Sequence, residues 1–187
     1  MPDFTREEIE ELPKLSGNPL RFCNLNGVNL QGLDLHVVKF TGSDLSGTNL
    51  SGANLEGARL DFIRLTGADL RESDLREADL SYADLRWANL SKARLMKAHL
   101  VNTNLREADL SNSTLYKADL SGAVLIEAYL QKADLRAARL HEANLSSADL
   151  SGANMKGTDF TGAKLTEVDM SRADLTESVL KNAQIKN

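Results

Sequence analysis

The chain has 187 residues and a formal net charge of −5; the length predicts one domain, and the acidic balance opposes a general nucleic-acid binder, which carries a basic face. Aromatics make up 5% and the single cysteine, Cys23, excludes an intrachain disulfide and a cysteine-based metal cage. No apolar run approaches the ~20 residues of a membrane helix, and Met1-Pro2-Asp3-Phe4 lacks the basic and apolar regions of a secretory signal, so a soluble, cytoplasmic protein with no membrane association is expected.

Residues 1–17 read as an N-terminal cap. Thr5-Arg6-Glu7-Glu8 is a capping box, with Thr5 as N-cap and Glu8 at the third helical position. Phe4 and Ile9 have the spacing of a hydrophobic staple, and Pro13 ends a helix near Leu12. A short helix is therefore predicted over about residues 5–12. Ile9, Leu12 and Leu15 would pack over the start of the domain beginning at residue 18, with Glu7, Glu8, Glu10 and Glu11 on the solvated face.

From residue 18 to 187 the pattern has a period of five. Stepping from Leu20 to Ile185 gives 34 positions, all large and apolar, of which 29 are Leu. We call this position the centre. Two residues before it, 20 of 34 are Ala, and the residue just before it is Asp or Asn in 21 of 34. A period of five matches neither the 3.6 of a helix nor the 2.0 of a strand. Four five-residue sides per coil do satisfy it. The centre and the small residue point inward, the other three outward, and coils stack at the strand spacing of about 4.7–4.9 Å. Thirty-four units make 8.5 coils, a rod roughly 40 Å long.

The units Ala53-Asn54-Leu55, Ala78-Asp79-Leu80, Ala83-Asp84-Leu85 and Ala148-Asp149-Leu150 show the motif cleanly. This tandem A-(D/N)-L-x-x pattern resembles the pentapeptide-repeat family. The resemblance implies an all-β solenoid, a right-handed quadrilateral β-helix. It also implies a binding protein rather than an enzyme. Some members of that family protect DNA gyrase and are thought to mimic DNA.

Along the chain, the small inner site is enlarged at Cys23, Val28, Leu33 and Val38, predicting a differently filled first coil with Cys23 as a buried structural thiol. Gly stands two after the centre in two zones, Gly27 to Gly67 and Gly122 to Gly162, where a type II turn wants positive φ. Glu72, Glu77, Lys92, Lys97 and Lys117 take that place between the zones, so turn type is expected to vary along the rod. The Asp and Asn before each centre are expected to bond nearby backbone amides.

Chemistry-bearing motifs do not emerge. There is no phosphate loop, nucleophile elbow or H-E-x-x-H sequence. His99 and His141 fall two coils apart, about 10 Å, too far to share a metal bound at about 2 Å, and His36 falls on another side. No catalytic residue, metal or cofactor is expected. The coils carry 20 basic and 22 acidic residues with signs interspersed, whereas a surface competing with DNA needs a strong single-sign field. A topoisomerase-protecting DNA mimic is therefore the second reading. The first is a scaffold or regulator that binds an unidentified protein.

Its candidate surface is a set of outward apolar residues at mid-length: Phe62, Tyr82, Trp87, Met96, Val101, Tyr116, Val124, Ile126 and Tyr129. Phe62 and Tyr82 occupy equivalent places in successive coils and should stack, as should Met96 and Tyr116. Leu175, Leu180 and Ile185 in the last coil form a second candidate surface, for a homodimer.

Overall fold

The structure, a computed structural model, describes residues 1–11 and 20–186. The capping box forms as its residue types require. Thr5 N–H donates to Glu8 Oε2 at 2.7 Å and Glu8 N–H donates to Thr5 Oγ1 at 3.3 Å. They open helix α1, Arg6–Glu11. Ile9 is buried, and Phe4 packs against the core beside it. Leu12, Pro13 and Leu15, expected to finish this cap, lie outside the described residues.

The repeat winds into a solenoid with a constant register. Isolated parallel bridges pair each residue before a centre with the one twenty later, from Asn24↔Asp44 to Asp159↔Val179. The series ends in a parallel pair of strands, β1 (Lys164–Thr166) and β2 (Gln184–Lys186). Each coil thus contains four units, and three backbone bonds per unit tie it to its neighbours. Leu45 N–H donates to Arg64 O, Gly47 N–H to Thr66 O, and Asp44 N–H to Cys23 O.

Inside, the centres form columns. They are buried from Leu20 to Leu165, and Ala residues from Ala53 to Ala163 are buried beside them. Burying a Leu side chain is worth about 1.5–3 kcal/mol, and Ala leaves room for it. Where Thr replaces Ala, the hydroxyl reaches the preceding coil: Thr103 Oγ1 donates to Leu80 O and Thr158 Oγ1 to Leu135 O, both at 2.7 Å. Near the start, Cys23, Val28 and Leu33 fill the small site and are buried. Burial pushes the Cys23 thiol above its ordinary value.

The turns correct one expectation. In nearly every unit the N–H three past a centre donates to that centre's carbonyl, as Ala88 does to Leu85. The second residue after the centre has positive φ at every described unit, whether it is Gly67 (φ 66), Glu72 (φ 58), Trp87 (φ 59) or Lys97 (φ 59). Positive φ at the second central position alone is the type II geometry. Turn type therefore does not change between the Gly zones. The tip is left-handed also at Arg172, Glu177 and Asn182, past the last inter-coil bond from a tip N–H, so the turn closed on the centre's carbonyl, and not the bond to the next coil alone, sets the backbone.

The first edge is closed by side chains acting as backbone. Asp3 N–H donates to Asn24 O at 2.7 Å, and Asn24 N–H donates back to Asp3 Oδ2 at 2.6 Å. Arg6 donates from Nη1 to Asn29 O at 3.0 Å and from Nη2 to Gln31 O at 3.1 Å. These are carbonyls that, farther along, accept from the preceding coil. In the last coil Leu175 is half-buried, Leu180 is 38% exposed and Ile185 57%.

Candidate interaction surface

The polar exterior is largely spent on its own architecture. Every Asp or Asn before a centre accepts, through Oδ1, the N–H two residues on, as Asp84 does from Arg86 (3.3 Å) and Asn89 from Ser91 (2.9 Å). Arg in that position chelates the same carboxylate: Arg71 on Asp69, Arg86 on Asp84, Arg136 on Asp134. Those guanidinium hydrogen bonds hold the three carboxyls below the usual range, outweighing partial burial. Other pairs run between coils, such as Lys92–Glu72 at 3.1 Å and Lys97–Glu77 at 2.8 Å. Among the described residues, no group of three or more His, Cys, Asp or Glu could hold a metal ion, and no helix is long and apolar enough to cross a membrane.

The apolar residues are distributed unevenly around the coil. Phe62 and Tyr82 stack with ring centroids 5.0 Å apart and 4° between planes, with Val101 on the turn of the next coil. Val124 stands on the next side, then Ile126 and Trp87 on the next turn, then Tyr129 on the side after that. These seven succeed one another round the rod. Met96 and Tyr116 share a different turn, two turns beyond that of Trp87. Phe62, Tyr82, Trp87 and Tyr129 are exposed, while Met96, Val101, Tyr116, Val124 and Ile126 are half-buried. Arg86 lies over the Trp87 ring at 5.4 Å, and Arg136 and Lys117 over Tyr116 at 5.6 and 5.2 Å.

Trp87 and Tyr129 border a shallow depression of about 460 Å³, with Asn89, Glu107, Asp109 and Gln131 around it. Phe22 (75%), Val37 (61%) and Val179 (46%) are exposed apolar residues that the sequence pattern does not single out, and Phe22 and Val37 lie outside the mid-length set. The signal for Phe22 and Val37 is position, since they stand at turn tips, two after a centre. Phe22 is accommodated by Gly42 in the next coil, where a Cβ would lie 2.5 Å from its ring.

The Pentapeptide repeats profile matches in eight copies, over residues 20–57, 58–95, 88–125, 118–157 and 153–187. No curated protein matches the chain. Among solved structures, HetL from the cyanobacterium Nostoc sp. strain PCC 7120, a pentapeptide repeat protein involved in heterocyst differentiation regulation, is 30% identical, with 97% of this chain and 94% of that one covered and a TM-score of 0.42. A trypsin-treated form of QnrB1, a plasmid-mediated fluoroquinolone resistance protein, is 19% identical, with coverage of 85% and 87% and a TM-score of 0.72. A pentapeptide repeat protein of the Arabidopsis thaliana thylakoid lumen is 32% identical, with coverage of 61% and 71% and a TM-score of 0.43. A twenty-residue register, an A-(D/N)-L core and a profile spanning nearly every coil agree on one conclusion: the chain belongs to the pentapeptide repeat family.

Proposed function

We propose that this protein is a non-enzymatic protein-binding module or scaffold, built as a right-handed quadrilateral β-helix of about 8.5 coils and working in the cytoplasm. The observation that carries the reading is the gathering of outward apolar residues at mid-length on a rod whose interior is filled. Exposed patches of this kind mark interaction sites, and Trp and Tyr are favoured at the energetic centres of interfaces. Four centres to a coil and one cysteine in a buried place fit the fold and the compartment. The exposure of Leu180 and Ile185, beside half-buried Leu175, supports a homodimer through the last coil.

The test is capture of partners from the native cell by two variants. Tyr82, Trp87, Ile126 and Tyr129 are changed together to Ser in one, Met96 and Tyr116 in the other. The first variant is expected to lose a partner that the second retains. Undiminished capture by both sinks the proposal. The DNA-mimic reading gains nothing from QnrB1, whose 19% identity carries the fold alone, and many of the carboxylates here are paired with Arg or Lys, as Asp69, Asp84 and Asp134 are.

A further inference from the structure

The depression between Trp87 and Tyr129 has a layered construction. Parallel bridges Asn89↔Asp109 and Asp109↔Tyr129 put these residues on three successive coils, about 10 Å from first to last. Trp87 belongs to the coil of Asn89. The two rings therefore stand either side of the level that carries Asp109 and Glu107.

The local charge is unbalanced in one direction. Arg86, beside Trp87, is held by both oxygens of Asp84 at 2.8 and 2.7 Å. Arg106 is shared between Glu107 at 3.1 Å and Glu127 at 2.9 Å, one cation for two carboxylates. Asp109 accepts the Ser111 N–H at 2.8 Å and makes no ion pair among the described residues. Asp149, one coil past Tyr129, accepts from Gln131 Nε2 at 2.6 Å and likewise has no cation among them. Lys132, next to Gln131, has its stem against Gly152 on the next coil and makes no ion pair with Asp109.

We infer that this depression receives a basic side chain of a partner protein, arginine in preference to lysine. Aromatic faces attract a cation, and a planar guanidinium both stacks on rings and donates two parallel hydrogen bonds to a carboxylate. Asp109, with its outer oxygen unclaimed by any cation among the described residues, is the acceptor. The inference rests on the protein-binding reading and adds the chemistry of the bound group.

Trp87 is the only tryptophan, so its fluorescence reports this site alone. The full chain is titrated with blocked tripeptides Gly-Arg-Gly, Gly-Lys-Gly and Gly-Leu-Gly. The arginine peptide is expected to give a saturable change in the millimolar range of one exposed side-chain contact. The lysine peptide binds more weakly and the leucine peptide gives no saturable change. Asp109→Asn weakens the arginine peptide about fivefold or more. That variant should fold, because Asn accepts the same backbone N–H elsewhere in the rod, as Asn89 does; an unchanged circular dichroism spectrum checks this. A second variant, Tyr129→Ala, removes a ring and also weakens binding. No saturable change with the arginine peptide, an equal response to the leucine peptide, or an unaltered Asp109→Asn titration overturns the inference. No partner protein enters this titration. Its failure beside a successful capture experiment removes only the basic-group assignment, and the capture result alone judges the wider reading.

Discussion

At the residue scale, the turn tips carry the most strain per side chain. Left-handed backbone is unfavourable for any residue with a Cβ by roughly 1–2 kcal/mol, yet most turn tips here are not Gly. Ala137 (φ 54) isolates the effect, because it is exposed and its methyl makes no polar contact. Ala137→Gly should raise stability by about 0.5–1 kcal/mol, the relief of strain exceeding the added freedom of the unfolded chain. A shift of the urea midpoint to higher concentration checks it. Gly42→Ala should do the opposite and lower the midpoint, since it adds the same strain and drives a methyl into the Phe22 ring. If both move the midpoint the same way, turn strain is not the governing term.

At the element scale, α1 is small but its work is specific. Ile9 covers the first coil, and Arg6 supplies hydrogen-bond donors to two carbonyls of that edge. In a solenoid each coil touches only its neighbours, so damage at one end stays local. Ile9→Ala removes buried methylene groups and should cost about 2–4 kcal/mol. Amide hydrogen exchange is expected to quicken over residues 22–45 and stay unchanged beyond residue 100. Uniform quickening along the rod would contradict this nearest-neighbour picture. The helix is legible in the sequence because a capping box is a local code, complete within four residues.

At the scale of the whole molecule, the winding is equally legible. Most inner positions repeat one of two side chains, so Leu and Ala recur in phase. The uniform turn is not legible, because Glu72, Trp87 and Lys97 adopt the left-handed backbone that the closed turn demands, against their own preference. The depression is hidden for a related reason. Trp87 and Tyr129 occupy different phases of the repeat, two after a centre and one before, and meet only once the coils are stacked. The proposed dimer contact at Leu180 and Ile185 supports a further expectation: Leu180→Glu combined with Ile185→Glu should sediment as a monomer where the parent chain sediments as a dimer. A monomeric parent would remove that assembly.

The side chains of Asp3 and Arg6 also govern how copies of the rod can meet. They occupy backbone positions that a second rod would need in order to add a coil at the start. Growth from head to tail, which propagates into filaments when the rotation does not close, is thereby obstructed at one partner. The proposed contact through the last coil would join two like surfaces, and such an isologous pair is complete at two copies.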